Sequence, residues 1–391
     1  MVAPLHARVA GAGPTGSLAA LALAAAGWRV DLHDPQPRER LLARSRAYAF
    51  THSSRRLLQR LDLWRVLEPD LVPFDRLHLR DRWLERGVDF GPLDLAAGSR
   101  PAGAESTARG AVGWIGRHGP LLERLLERLE AHPAVGLHLG GTPVPAGPVD
   151  LEVAADGPAS PTRERLGIGQ WGWDYAQACL TVQVELRGAR QHQAWELLRP
   201  EGPFALLPLG GRSFQVVWSA PRGRCQRLES QPDAAFLDSL AGVLPERMQP
   251  DALLDSPRVF PVALRLARRL HRGRVVLVGE SAHCCHPVGG QGLNLCWRDV
   301  AVLHRLAQAA ARGRLAPRRI PAAYGRRRWI DLLFTLAVTD LLVRVYSCRR
   351  PLLGPPRRLA VSVLARSRGL RRLLLTAMTE GPCSAVAPGA Q

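Results

Sequence analysis

The sequence predicts an α/β fold, α+β over the whole chain, with an inserted, mostly antiparallel sheet and a helical C-terminal region. Two glycine-rich turns, at residues 11–16 and 279–294, each lie between an apolar strand-like run and a helix-forming run. Between them, apolar residues 178, 180, 182, 184 and 186 alternate with Cys179, Thr181, Gln183 and Glu185. That is the period-two pattern of a strand with one buried face. At 391 residues and 46% apolar content, the chain is long enough for two or three domains with sizeable cores.

The first turn fits a dinucleotide site. Ala7–Ala10 reads as a short strand, Gly11-Ala-Gly13-Pro14-Thr15-Gly16 as the turn and 17–26 as an alanine-rich helix. A second strand, Trp28–His33, ends at Asp34, 18 residues after Gly16. Strand, G-x-G-x-x-G, helix, strand and acid in that order make the dinucleotide-binding βαβ unit. Gly11 makes the tight turn, Gly13 admits a pyrophosphate and Gly16 lets helix pack on strand, while Asp34 is placed to hydrogen-bond a ribose. A surface turn beside an amphipathic helix would explain neither the glycine spacing nor the acid.

The second turn runs Gly279-Glu280-Ser281-Ala282-His283-Cys284-Cys285-His286-Pro287-Val288-Gly289-Gly290-Gln291-Gly292-Leu293-Asn294. It follows the buried-strand run Arg274–Val278 and opens a helix near Asn294. Glycines let the backbone approach a ligand, and the helix N-terminus offers unpaired N–H groups to an anionic group. Between the turns, strand-like Leu151–Ala155 leads into Asp156-Gly157-Pro158-Ala159-Ser160-Pro161-Thr162-Arg163. With these three motifs in this order, the chain resembles the group A flavin monooxygenases. Within them it is most similar to the UbiH/VisC-type branch, ring hydroxylases of ubiquinone and related quinone biosynthesis. Arg46–Ser54 with Leu57–Trp64, Trp173–Gln177 and Gly202–Leu209 resemble further segments of that branch, and the resemblance spans roughly residues 5–350.

The resemblance implies a Rossmann-like FAD-binding domain of the glutathione-reductase/p-hydroxybenzoate-hydroxylase type. It implies FAD as cofactor, O2 as co-substrate and an external reductant. NADPH, NADH and a ferredoxin-type donor all stay open, since no second dinucleotide motif is present. The implied reaction is transfer of oxygen from a flavin C4a-hydroperoxide to an electron-rich ring. The implied substrate is a prenylated phenol or quinone precursor in ubiquinone-type or plastoquinone biosynthesis. In such enzymes the cofactor carries the hard step while the protein holds, shields and tunes it.

Carried over residue by residue, the implied FAD-binding set is Gly11, Gly13, Pro14, Thr15, Gly16, Asp34, Arg46, Arg117, Asp156, Gly157, Gly279, Glu280, Pro287, Gly290, Gly292, Leu293 and Asn294. Pro287, Gly289 and Gln291 belong to the loop against the flavin ring, with amides of Gly292, Leu293 and Asn294 facing its N1/O2 edge. Arg163 closes the central motif that Asp156 opens, and a plain surface arginine is the rival reading of Arg46. No catalytic base stands out, because substrates of these hydroxylases bring their own activating hydroxyl. Tyr175, Gln177 and Trp218 are the candidates to face substrate, with core or surface placement as the alternative.

Two positions depart from the family pattern. Glu280 stands where an aspartate or asparagine bonds the ribityl chain, which bears on FAD affinity, and Ser281 replaces an alanine. A non-catalytic FAD-binding subunit of a membrane-associated biosynthetic complex is the alternative function. A flavin-halogenase reading fails, because the chain contains no lysine and no Ile-Pro follows Gly169–Trp173. Geranylgeranyl reductases lack the H-x-x-H-P-x-x-G-Q-G-x-N segment. His283-Cys284-Cys285-His286 lacks the C-x₂₋₄-C spacing of a zinc site, so no metal is expected.

Along the chain, residues 1–165 are expected to form the first part of the FAD-binding domain, with 70–112 free to join the substrate sheet and a leucine-rich helix over 119–131. Residues 166–262 form the substrate domain, 263–310 return to the FAD-binding domain, 311–380 form a helical region and 381–391 a disordered tail. Seven scattered cysteines read as reduced cytosolic thiols. The apolar stretch 330–346 is broken by Asp331, Asp340 and Arg344. It is also shorter than the ~20 residues of a membrane span. No secretory signal is evident, and a cytoplasmic protein, at most peripheral on the inner face of a membrane, is expected.

The net charge of +19 is carried on its basic side entirely by arginine, which points partly to a GC-rich genome. C-terminal arginine pairs, such as Arg318-Arg319 and Arg371-Arg372, alternate with apolar runs. That pattern suits an amphipathic surface resting on anionic lipid; a solvated helical face is the other reading. No nucleic-acid motif accompanies the charge, so nucleic acid is not an expected partner. The expected partners are a lipophilic aromatic small molecule, a membrane surface and a quinone-biosynthesis complex.

Overall fold

The computed structural model describes residues 4–82, 85–95, 110–245, 247–347 and 354–381. The tail expected over 381–391 lies outside these residues, apart from Gly381.

Among the described residues, six strands form one sheet in the order His271–Arg272, Val275–Leu277, Leu151–Ala154, His6–Ala10, Arg29–Asp34, Val135–Leu139. All neighbours pair in parallel except the first two. Strands buried on both faces need apolar cover, and the helix Pro14–Ala25 supplies it. Its alanines and leucines are apolar all round, and Leu18–Ala24 are buried without a break. The helices His118–Glu130 and Gln291–Ala311 pack on it, and their leucines complete the largest core.

A second sheet gathers nine strands among the described residues. It runs His283–Cys284, Arg258–Ala267, Gln170–Arg187, Ser213–Pro221, Phe204–Pro208, Gln193–Leu198, Arg76–Asp81, Arg86–Phe90, with Gln249–Leu253 beside Gln170–Arg187. Pairing is antiparallel throughout except between Gln193–Leu198 and Arg76–Asp81. Two strands from the 70–112 region thus complete this sheet. The strand Arg258–Ala267 runs unbroken past residue 262, because Val262, Leu264 and Leu266 keep the inward alternation. The strand stays in the large sheet to its end, pairing there with Gln170–Asp174 and His283–Cys284, and the chain returns to the parallel sheet only after it. A three-stranded antiparallel sheet, Ala47–Phe50, Gly113–Arg117, Leu71–Phe74, bridges the two.

One face of the large sheet is sealed by the helices Arg222–Glu229 and Asp233–Ala241, with Phe236 of the second helix packed over Phe204, Phe214 and Trp218. The helices Ile320–Tyr346, Gly354–Arg366 and Arg368–Glu380 close the molecule. Charged anchors pin them. Arg357 pairs bidentately with buried Asp81 at 2.8 and 3.0 Å, and Arg371 reaches Asp94 at 3.1 Å. Among the described residues, no helix is long and apolar enough to cross a membrane.

Candidate active site

The three sequence motifs meet at the carboxyl ends of adjacent parallel strands, His6–Ala10, Leu151–Ala154 and Val275–Leu277. In open α/β sheets ligands bind in the crevice beyond those ends. The glycines meet three different demands there. A Cβ on Gly11 would lie 2.3 Å from the Ala155 carbonyl oxygen, and one on Gly16 would lie 1.8 Å from the Gly11 oxygen. A Cβ on Gly13 would meet nothing within 4 Å, so this residue fronts open space. It also N-caps the helix Pro14–Ala25 with no side-chain cap, which leaves the first-turn N–H groups to an outside acceptor. Asp34 accepts Ala12 N–H at 2.8 Å and Gln36 N–H at 2.9 Å. Each of its oxygens keeps a lone pair for ribose hydroxyls.

The central motif braces the crevice. Asp156 accepts the Ser160 hydroxyl at 2.5 Å and Thr162 N–H at 3.0 Å, so its carboxylate orders its own turn. Gly157, at φ +83°, faces free space. Arg163 is buried and donates to the Pro158 and Ser281 carbonyls at 3.0 Å, tying the central motif to the late one.

The late turn packs on the first. Gly279 takes φ +69°, and a Cβ there would fall 2.9 Å from Thr15 Cγ2. Its N–H donates to Asp299 at 2.8 Å. Asp299 also accepts from His283 at 2.8 Å and from Arg328 at 2.6 Å. Burial alone would raise this carboxyl, but the neighbouring His283 and Arg328 with the Gly279 N–H hold it down to about 2. Arg328 also bonds Asp331, which pairs with Arg298 at 2.9 Å. The first histidine of the motif is thus one member of a buried ionic brace. His286 is buried, accepts Val288 N–H at 3.1 Å and faces the Gln177 amide oxygen at 3.3 Å. Burial pushes its imidazole down to about 3, so it stays neutral.

Beyond Pro287, Gly289 and Gly290 are both left-handed, at φ +69° and +61°. They swing the loop into the helix Gln291–Ala311, whose N-cap Gly290 again carries no side-chain cap. A Cβ on Gly292 would meet nothing within 4 Å. Gln291 folds back onto the Gly289 oxygen at 3.0 Å. The side chain of Asn294 is fully used. Its Nδ2 donates to the oxygens of Ala49 (2.6 Å) and Gly290 (2.9 Å), while Oδ1 accepts from Thr51 and Ser54. It pins the loop to the strand Ala47–Phe50, which leaves backbone amides, Leu293 included, as the groups free to meet a ligand.

The remaining sequence candidates fall out differently. Tyr175 sets its ring edge-on to His286 at 5.4 Å and donates its hydroxyl to Asp340 at 2.7 Å. Gln177, bonded to His286 and to the Glu201 carbonyl, lies on the loop. Arg46 stacks on Phe260 at 4.6 Å, and Arg117, exposed at its strand end, reaches the Leu209 carbonyl at 3.5 Å. Glu280 follows Gly279 with its side chain exposed. Trp218 does not face substrate: it is fully buried in the sealed core between Phe204 and Phe236. Its strand alternation turns it to the face that the helices cover.

Two residues escaped the sequence reading. Asp299 sits in a helix whose motif neighbours drew attention first. Glu196 is a lone acid in the run Trp195-Glu196-Leu197-Leu198, a signal that was available. It meets the late loop through the Gly289 N–H, and burial pushes its carboxyl up to about 8 against that bond. Open glycine cradles, two uncapped helix N-termini and a free-faced ribose acceptor fit a flavin dinucleotide.

Known proteins resemble the chain in the same terms. A family model described as an FAD binding domain matches residues 150–330. The chain is 31% identical to a ubiquinone hydroxylase, UbiL, of Rhodospirillum rubrum, over 94% of this chain and 87% of the relative. It is 28% identical to the 3-demethoxyubiquinol 3-hydroxylase of Escherichia coli, over 95% of this chain and 97% of the relative. Its fold matches the crystal structure of p-nitrophenol 4-monooxygenase PnpA from Pseudomonas putida with a TM-score of 0.75 at 17% identity, covering 98% and 99% of the two chains. These likenesses do not favour a non-catalytic binding subunit.

Proposed function

Because the chain belongs to the family of FAD-dependent monooxygenases that includes the hydroxylases of ubiquinone biosynthesis, we propose that it hydroxylates the ring of a prenylated phenol or quinone precursor. The observation that carries this reading is the near-full-length likeness to a ubiquinone hydroxylase, with all three motifs converging on one crevice.

When bound, reduced FAD would supply the activation of O2, and O2 the oxygen atom that is transferred. The chain's part is to bind, orient and exclude water. Gly13 and the N-terminus of Pro14–Ala25 receive the pyrophosphate, and Asp34 receives the ribose hydroxyls. Glu280, with one more methylene than aspartate, would take the ribityl chain. Pro287, Gly289 and Gly290 would lie along the ring. The amides of Gly292, Leu293 and Asn294, at a helix N-terminus, stabilise negative charge on its edge. Arg46 and Arg117, at paired ends of the three-stranded sheet, would reach the cofactor from that side. Tyr175 and Gln177 hold His286, and so the loop, against the large sheet, which keeps water from the reacting ring. NADPH or NADH serves as the donor.

The substrate is lipophilic, and the exposed face of Ile320–Tyr346 suits a lipid surface at the inner face of a membrane. Ile330, Leu333, Phe334 and Leu341 are exposed along it, flanked by exposed Trp171 and Trp173. Arg326 and Arg327 stand at one end and Arg344 at the other. Purified protein reconstituted with FAD and given a 2-prenylated phenol should oxidise NADPH or NADH faster and release a product heavier by one oxygen. Failure to take up FAD, or oxidation indifferent to every prenylated phenol, would sink the reading.

A further inference from the structure

Glu196 is a carboxyl where its surroundings offer no counter-charge. Its register places it opposite Leu79 on one side and Ala205 on the other. Ala205 pairs with Val217, and Val217 with Thr181, so all five share one face of the large sheet. Leu79 and Val217 pack against the core of the FAD-binding part, which identifies the face turned toward the flavin-ring loop. The bond from Gly289 N–H places the carboxyl on that loop. Among the described residues Glu196 has no ion-pair partner. The charged and titratable groups around this face are otherwise engaged. Arg46 stacks on Phe260, and Asp81 pairs with Arg357. The Cys179 thiol is pushed up to about 12 by burial, and His286 is neutral.

Glu196 is half-buried, and a carboxyl so desolvated without an ion-pair partner is a functional candidate when it faces a site. Burial brings this carboxyl to about 8. A phenol titrates near 10, so an ordinary carboxylate is a poor base for it, while one near 8 is well matched. We propose that Glu196 engages the substrate's ring hydroxyl above the flavin-ring loop and takes its proton as the ring is hydroxylated, an inference that rests on the phenol reading above. The phenolic O–H bond breaks, its electron pair stays on the oxygen and enriches the ring, and a new O–H forms on Glu196. When the product ring regains aromaticity its C–H proton passes to solvent and Glu196 returns its proton to the ring oxygen.

The test needs no turnover. Dissociation constants of 2-prenylphenol and of its O-methyl ether are measured by equilibrium dialysis on the oxidised holoenzyme, with FAD content determined in parallel. The ionised carboxylate accepts the phenol proton, which the ether lacks. The preference for phenol over ether should therefore grow about tenfold between about pH 7 and about pH 9, tracking the ionised fraction. Glu196→Gln should retain FAD and show a flat preference, and Glu196→Asp should keep the rise at a displaced pH. An equal rise in Glu196→Gln, or no rise in the natural protein, overturns the role of Glu196 while leaving the substrate reading intact. Binding of neither compound by the natural holoenzyme overturns both.

Discussion

Gly13 and Gly16 stand three residues apart in one motif and answer opposite demands. Gly16 has no room: a Cβ would sit 1.8 Å from the Gly11 oxygen, so any side chain separates helix from strand. Gly13 has room in the protein itself, with ordinary extended backbone at φ −68°, ψ 178°. Its lack of a side chain serves the ligand. Gly13→Ala should therefore fold with an unchanged melting temperature and lose at least tenfold in FAD affinity, an order of magnitude set by close backbone approach to a pyrophosphate. Gly16→Ala should instead lower the melting temperature before FAD is added. Thermal melts of the apoprotein with FAD titrations separate the two; similar behaviour of both variants would contradict the division of roles.

At the scale of elements, the helix Gln291–Ala311 is held to the late turn by charge as well as by packing. Asp299, buried on that helix, receives Gly279, His283 and Arg328. A carboxyl held near 2 lies below its unfolded value near 3.9. Its contribution is thus fully present above that value and lost as pH falls toward 2. Asp299→Asn leaves Arg328 and His283 uncompensated and should cost about 3–5 kcal/mol at neutral pH. Urea unfolding should find that deficit at pH near 7 and a smaller one below about pH 3; a deficit independent of pH would contradict the brace.

The same elements tell what the sequence could disclose. Glycine spacing fixes backbone shape, so the turns at 11–16 and 279–294 were legible as ligand cradles. Alternation was legible too, over 178–186. It does not tell which of the large sheet's faces the helices seal, and so it leaves Trp218 open between substrate contact and core, where the structure puts it in the core. Asn294 was named for its place in a motif, yet its side chain pins the strand Ala47–Phe50, a partnership 245 residues away in sequence. Long-range pairs such as Asp81 with Arg357 leave no local pattern to read.

At the scale of the molecule, the exposed apolar face of Ile320–Tyr346 is the feature that suits a lipid surface. The outer face of Ile320–Tyr346 offers apolar side chains between arginines, a composition that favours anionic interfaces. Flotation with vesicles containing phosphatidylserine should carry the protein upward, and neutral vesicles should carry less. Leu333→Asp with Phe334→Asp should abolish flotation without altering FAD content, because both side chains already face solvent. Undiminished flotation of that double variant would move the contact elsewhere.

Ring hydroxylation of a quinone precursor would show in a mass-spectrometric quinone profile of cells lacking this gene. Accumulation of a prenylated precursor one oxygen atom lighter than the next intermediate is the predicted result. An unchanged quinone profile would contradict it.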